Sequence, residues 1–498
     1  MDRRLHVLQE YLDRLEAEGV LTESGVDEDL LHKIVGGVSF NSKEVKRNSI
    51  FVCKGAHFSE KYLEEALQSG ALAYLAEKKY DIDAPYILVS DVRKAMAYMG
   101  DLFYNHVQDK LYLVGITGTK GKSTTAYFVR YILDDFLKGM KKPASAIISS
   151  IDTYDGVISE ESHLTTPESL DVFRHFNNAA RSEIEYLTME VSSQALKYDR
   201  VLGIEYNVGC FLNIGEDHIS EAEHPDFEDY FESKLKLFSQ CDTACVNLDS
   251  KYADRILEEA ALSSKRVITF GTKEDADIYG YDISVNKKDI TFCAKCDSFD
   301  RDFKISMHGI FNVENALAAI AIAYALDIPL EYIYSGLKKA QAAGRMETFI
   351  NGKKTVIVDY AHNKMSFESL FDSTKKEFPG KKISIVFGCP GKKAFNRRKE
   401  LGEIAGKYAD KVYLTEEDAG EEPLMKICEE IAAYVKKGSA VCEIIPDRSR
   451  AIMTAIREAD ENTIVLVTGK GRETRQKRGT DYIATPSDVQ LVKKYLLL

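Results

Sequence analysis

At 498 residues, with hydrophobic side chains at 45% and charged ones at 29%, the chain has a globular composition that excludes disordered and fibrous classes. At roughly 100–200 residues per domain it is long enough for about three domains, each with its own core. A formal net charge of -13 argues against a general nucleic-acid or anionic-membrane surface and leaves room for a locally basic pocket that takes a small anion. No apolar run approaches the ~20 residues that span a bilayer, and the opening MDRRLHVLQEYLDRLEAEGVL carries charges where a signal peptide needs an apolar core, so no stable membrane insertion is expected. Nine cysteines, an odd number scattered along a large chain, argue for reduced thiols in a cytoplasm.

In chain order, SIFVCKG, AYLAE and APYILVS are short apolar runs separated by helical periodicity, and they predict a small α/β domain over residues 1–109. LYLVGIT then has the continuous apolarity of a buried parallel strand. EYLTMEV, YNVGCFLNI, DTACVNL and RVITFG follow as strands with helical patterns between several of them, which predicts an α/β domain with a mostly parallel sheet over 110–342. Within it, residues 276–308 alternate with period two and carry turn signals, as an antiparallel insert would, and 312–342 read as helical. Cys293 and Cys296 in this insert have metal-ligand spacing, but without a second pair or a histidine cluster they read as two thiols of a β-hairpin. After a break at AAGRME, a fresh β/α alternation runs through KTVIVDYA, KISIVFGC, KVYLTEE and TIVLVTGKG to an amphipathic helix at SDVQLVKKYLLL, predicting a third, Rossmann-like α/β domain over 343–498.

The sharpest local signal is GITGTKGKST at 115–124. Strand, glycine-rich turn and helix follow one another as a phosphate-binding loop requires: glycines let backbone N–H groups turn toward phosphate oxygens, and the helix N-terminus adds partial positive charge. Lys122 is placed to contact the β and γ phosphates, and the Ser123 hydroxyl to reach Mg²⁺. The spacing departs from G-x-x-x-x-G-K-[ST], however, because the position five before Gly121 is Ile116, with glycines at Gly115 and Gly118 instead.

GTKGKST resembles the G-T-[NKG]-G-K-[ST]-[ST] loop of the Mur ligases, ATP-dependent amide-forming enzymes of peptidoglycan precursor synthesis whose relatives include folylpolyglutamate synthetase. Further stretches resemble the family's other signatures in the same order: LTTPES at 164–169, MEVSSQAL at 189–196, FLNIGEDHIS at 211–220, GIFNVENALAA at 309–319, GRME at 344–347, DYAH at 359–362 and TGKG at 468–471. FNSKEV and FVCKGAHF are similar to the uridine-binding region. TTP, MEVSSQAL and HPDFEDYFESK together resemble the branch that adds the third residue of the stem peptide to UDP-N-acetylmuramoyl-L-alanyl-D-glutamate.

The resemblance implies a three-domain cytoplasmic ligase, expected to be a monomer, that uses ATP as a substrate and Mg²⁺. A carboxylate attacks the γ-phosphate to give an acyl phosphate, and an amine then displaces phosphate. It assigns ATP contacts to Gly118, Thr119, Lys120, Gly121, Lys122, Ser123 and Thr124 in the loop, and to Asn312, Asn315, Arg345, Asp359 and His362 farther along. Metal ligation falls to Ser123, Glu190, His218 and Lys234, the lysine converted by CO₂ into an anionic carbamate. Lys122, Lys234 and His218 are the catalytic set, with Lys236 the competitor to Lys234. Ser42, Thr165, Thr166, Ser192 and Arg200 match contacts to the UDP substrate.

For the incoming amino acid, Arg398, Asp418, Gly469 and Glu473 are the candidates. Enzymes of this branch that take meso-diaminopimelate carry D-N-P-R, whose arginine grips the distal carboxylate. Here TEEDAGEEP at 415–423 has Asp418, Ala419 and Gly420 in place of Asn, Pro and Arg. Acidic residues there suit an ammonium group, so L-lysine is favoured. Meso-diaminopimelate and L-ornithine stay open as substrates, and a non-catalytic nucleotide-binding scaffold is the alternative of a different class.

Overall fold

The computed structural model describes residues 4–55, 58–162, 164–216, 219, 223–286 and 289–497. Three sheets organise the chain. The first has strands Leu21–Gly25, Tyr86–Val89, Ala71–Ala76, Ser49–Val52 and Gly37–Ser39 in that spatial order, parallel except for the antiparallel edge strand Leu21–Gly25. Alternate residues of these short strands carry Ile50, Val52, Ala73, Leu75, Ile87 and Val89 into a core with the amphipathic helices Leu8–Ala17 and Val92–Phe103.

The second sheet has eleven strands. Its centre is Tyr112–Thr117, flanked in parallel by Tyr186–Glu190 on one side and Tyr206–Phe211 on the other. Beyond the exposed Tyr112 the three are almost wholly buried, as continuous apolar runs in a sheet covered on both faces must be. The register sets Glu190 opposite Ile116 and Phe211 opposite Thr117, so the three following loops leave the sheet at one carboxyl edge, where open α/β sheets bind ligands. Helix Asn312–Ala325 is apolar nearly all round and packs with helix Lys122–Gly139 into the largest core.

The period-two segment forms strands Ile278–Val285, Ile290–Cys296 and Phe299–Ile305, antiparallel to one another. They continue the central sheet, because Ile278–Val285 pairs in parallel with Arg266–Gly271. Cys293 and Cys296 lie three apart on one strand and so face opposite sides of it; their thiols contact Asp302 and Ser298 respectively.

The third sheet, Glu347–Asn351, Lys354–Asp359, Thr463–Thr468, Lys382–Phe387, Lys411–Leu414 and Val441–Ile444 in spatial order, is parallel beyond its first strand. Its register sets Asp359 opposite Thr468 and Phe387 opposite Leu414, which gathers the loops after 359, 387, 414 and 468 at a second carboxyl edge. Among the described residues no helix is long and apolar enough to cross a membrane.

One buried ion pair braces this edge. Asp488, at the start of the last helix, accepts from Arg448 through both oxygens at 2.7 Å and from Gly471 N at 3.0 Å. Arg448 also donates to the carbonyls of Glu416 and Thr468 at 3.1 and 2.6 Å. Removing one charge strands the other in a dry interior, which typically costs about 3–5 kcal/mol. Asp488→Asn is therefore expected to lower unfolding free energy by about that amount in a denaturant titration; an unchanged midpoint would remove this role for the pair.

Candidate active site

The two carboxyl edges face one cavity of about 660 Å³, lined on one side by residues 119–124 of the glycine-rich loop and on the other by Asp359, Glu417, Asp418, Gly469, Lys470 and Glu473. The loop bends through positive φ at Gly118 (149°) and Gly121 (87°). At Gly121 a Cβ would also lie 2.3 Å from the Asn315 Oδ1, so the turn admits only glycine. Neighbouring strands hold the loop's backbone: Asn213 Oδ1 accepts from Lys120 N at 3.0 Å, and its Nδ2 donates to Lys120 O at 3.1 Å. Thr119 Oγ1 accepts from Gly215 N and shares a hydrogen bond with Tyr230 OH.

Lys122 Nζ lies over the loop, donating to the carbonyls of Gly118 at 2.8 Å and Thr119 at 3.2 Å. Ser123 Oγ is 2.9 Å from Ser150 Oγ and accepts from Arg345 at 3.1 Å, and Ser150 N donates to the buried Glu190 carboxylate at 2.8 Å. Glu190, Ser150, Ser123 and Arg345 thus form one continuous polar wall. Ser150 carried no signal in the sequence because its neighbours are brought to it by the sheet.

Lys234 is 2% exposed and donates to Gly118 O at 3.0 Å, with its Nζ 4.7 Å from the centre of the Tyr230 ring. Lys236 is exposed. Helix phase therefore turns Lys234, and not its competitor, toward the loop. His218, with Asp217, lies outside the described residues.

Thr124, Asn312 and Asn315 are buried and line the cavity, with Asn315 Nδ2 donating to Asn312 Oδ1 at 2.9 Å. Across the cavity Asp359 accepts from the amides of Met346 and Ala361, both at 2.8 Å, and burial raises its pKa despite the nearby Arg345. His362 contacts Tyr360 O at 2.7 Å through Nδ1. Arg345 stacks on the Tyr360 ring at 4.5 Å while reaching Ser123, and so ties the linker to the loop. Lys120, whose ammonium burial disfavours, hydrogen-bonds Ser369 on the helix Lys364–Glu377 of the third sheet.

Thr166, Ser192 and Arg200 come together. Thr166 Oγ1 donates to Glu190 O at 2.9 Å and accepts from Ser192 N at 3.0 Å, and Arg200 donates to Thr166 O at 3.2 Å. Arg200 also pairs with Glu168 at 3.2 Å, which in turn meets Lys54 of the first sheet at 2.5 Å. Of the five expected substrate contacts, Thr165 alone lines the cavity. Ser42 is buried in the short turn after strand Gly37–Ser39, where its hydroxyl donates to Glu65 at 2.9 Å.

Of the residues expected to contact the incoming amino acid, Asp418, Gly469 and Glu473 line the far end of the cavity. Arg398 is 1% exposed and held by Glu422 and Glu430 at 2.7 Å each; it does not line the cavity, whereas Lys393 and Arg397 do. Asp418 accepts from Lys470 at 3.1 Å. Glu473 is engaged by Lys470 and by Tyr360 OH, both at 2.5 Å. Glu417 is the residue that sequence reasoning missed. Its carboxyl is 7% exposed, lines the cavity and accepts no hydrogen bond among the described residues. Burial pushes its pKa up to about 7, against the opposing pull of Arg448 and Lys470. A Cβ at Gly469, where φ is 104°, would sit 2.1 Å from its Oε2.

Two family models match the chain: the Mur ligase middle domain over residues 116–323 and the Mur ligase, glutamate ligase domain over 344–471. The chain is 39% identical over 470 residues to a UDP-N-acetylmuramoyl-L-alanyl-D-glutamate--L-lysine ligase of Streptococcus thermophilus, covering 92% of each. It is 37% identical over 490 residues to a UDP-N-acetylmuramyl-tripeptide synthetase of Lactobacillus delbrueckii subsp. bulgaricus, covering 93% of each. Its fold matches a solved UDP-N-acetylmuramoyl-L-alanyl-D-glutamate--2,6-diaminopimelate ligase with a TM-score of 0.67, at 24% identity and 99% coverage of both chains. A phosphate loop facing an acidic pocket, and relatives matched along nearly their whole length, lead to one conclusion: the chain belongs to the Mur ligase family and is an amide-forming ligase.

Proposed function

We propose that the chain is a cytoplasmic, ATP-dependent ligase that joins L-lysine to UDP-N-acetylmuramoyl-L-alanyl-D-glutamate. The observation that carries this reading is the single cavity with a phosphate-gripping loop at one end and carboxyl groups at the other. A carboxylate activated at the first end can meet an amine held at the second. Relatives named as L-lysine ligases, at 35 to 39% identity, support the same amino acid.

The substrate carboxylate attacks the γ-phosphate of ATP, releasing ADP and leaving an acyl phosphate. The amine then adds to that carbonyl and gives up a proton, and the tetrahedral adduct expels phosphate as the C–N bond is kept. A carboxylate and a triphosphate repel each other, so positioning and charge neutralisation carry the first step. Lys122 and Arg345 bring positive charge to the loop, and the loop's amides and helix N-terminus orient the phosphates. Enclosure between the two sheets keeps water from the acyl phosphate.

The donor set beside the loop fits Mg²⁺, because the Glu190 carboxylate and the Ser123 hydroxyl are hard oxygens on one wall, and this ion keeps waters and takes few protein carboxylates. Glu190 and Ser123 would hold it with His218 and a carbamylated Lys234, and bound there it neutralises triphosphate charge. In forming the carbamate, the Lys234 ammonium gives up one proton, and the neutral amine then bonds to CO₂ and releases a second, so a cation becomes an anion.

Glu417 is the group that best suits the distal ammonium of L-lysine. Asp418 and Glu473 already spend their charge on Lys470, while Glu417 is buried with no hydrogen-bond partner among the described residues. Lys393 and Arg397 line the same cavity as counterparts for a carboxylate.

Phosphate release with ATP, Mg²⁺ and the UDP-muramoyl dipeptide is expected with L-lysine; turnover only with meso-diaminopimelate or only with L-ornithine would overturn the amino-acid assignment, and none with any amine the ligase reading. Lys234→Ala is expected to abolish synthesis and to recover part of it with formate or acetate; full activity without rescue would sink the role of Lys234.

Glu417→Gln should raise KM for L-lysine about 10-fold or more, the magnitude of a charge-assisted hydrogen bond. A carboxyl whose pKa is raised from 4.5 to about 7 on folding stabilises the fold below the lower value, and that contribution is lost as pH rises through the higher one. The Gln variant should therefore exceed the parent in stability at about pH 8, and the fall in lysine KM between about pH 6 and 8 should be present in the parent and absent in the variant. Parallel pH profiles would count against Glu417.

A further inference from the structure

We propose that His224 is a positioning residue for the phosphoryl-transfer end of the cavity: one buried imidazole that fixes, relative to one another, the two segments carrying Glu190 and Lys234. The inference rests on the metal-ligating roles proposed above and adds a residue that touches neither nucleotide nor substrate.

His224 is fully buried and makes a contact with each segment. Its Nε2 is 2.9 Å from Ser193 Oγ, the first residue of the helix that starts three positions after Glu190. Its backbone forms an isolated β-bridge with Ile219, the residue after His218 and itself a wall of the cavity. Its Nδ1 is 2.6 Å from Asp229 Oδ2 in the first turn of helix Phe227–Leu235, five residues before Lys234. The imidazole ring also meets Tyr230 edge-on, with centroids 5.2 Å apart.

Tyr230 passes that constraint to the reacting end. Its hydroxyl bonds Thr119 of the phosphate loop at 3.1 Å, and its ring face lies 4.7 Å from the Lys234 Nζ. Lys197 closes the network, reaching Asp229 at 2.6 Å and Glu223 O at 3.1 Å. With Asp229 accepting from Nδ1–H, Nε2 is left to accept from the Ser193 hydroxyl, so both ring nitrogens are committed and the ring cannot turn.

The order Ser193, His224, Asp229 is also that of a nucleophilic triad. Burial argues against that use, because Ser193 is 3% exposed and neither it nor His224 lines the cavity. No acyl group can approach the hydroxyl.

Residues that orient metal ligands typically change metal affinity or activity about 10–100-fold when lost, whereas a residue that only stabilises the fold leaves a folded variant's metal affinity intact. The test uses the full-length protein with an ATP analogue that cannot be hydrolysed, and reads Mn²⁺ affinity by electron paramagnetic resonance alongside kcat and KM. His224→Ala is expected to weaken Mn²⁺ about 10-fold and to lower kcat by at least as much, with KM for L-lysine unchanged within about 2-fold. Ser193→Ala should shift Mn²⁺ affinity in the same direction by less, and it decides the matter if the histidine variant does not fold.

Parental Mn²⁺ affinity in folded variants of an active enzyme would overturn the inference, whatever happens to their stability. Failure of the underlying ligase reading looks different, as a parent protein that has no turnover. A parent that binds no Mn²⁺ at all would remove the positioning role together with the metal site.

Discussion

The side-chain amide of Asn213 grips the backbone of the phosphate loop from both sides, and much of the site depends on that grip. Because strand Tyr206–Phe211 runs in register beside Tyr112–Thr117, the residue two positions past its end arrives where Lys120 needs both a donor and an acceptor. The loop's backbone is thereby set before any anion arrives, and a preorganised cradle spends no binding energy on ordering itself. With its main chain held, Lys120 is free to send its side chain across the cavity to Ser369. One amide so supports both the glycine-rich loop and a contact between the sheets.

Both signs of charge line the cavity in a chain whose net charge is -13. Lys122 and Arg345 stand at the loop, while Glu417, Asp418 and Glu473 gather at the far end. Lys470 sits among the carboxylates and takes up two of them, which leaves the third, Glu417, poised between neutral and ionised near pH 7. Burial of charged groups is unfavourable unless they are paired, so ionised Glu417 is the carboxylate at this end whose burial costs stability.

Local signals in the sequence reached the phosphate loop, the alternation of strands and helices and the antiparallel segment, since each is written in consecutive residues. The ordered string of motifs reached the family. What stayed out of reach was whatever depends on residues distant in sequence. Lys234 and Lys236 differ only in helix phase, and burial against Gly118 distinguishes them. Arg398 looked available for a carboxylate until Glu422 and Glu430 closed around it. Ser150 and Glu417 follow plain strands and become notable only when Glu190 and Gly469 are brought beside them. His224 stands in the stretch HPDFEDYFESK, yet its partners Ser193 and Asp229 come from two helices.

The close approach of Gly469 to Glu417 also limits how this pocket could drift in evolution. A side chain at 469 would collide with the Glu417 carboxylate and would have to adopt a backbone angle that residues with a Cβ rarely take. Shortening residue 417 first relieves the collision but not the backbone strain, so any side chain at 469 carries a cost. The freedom to reshape this end of the cavity therefore lies in the 415–420 loop and at Lys393 and Arg397, which also line it.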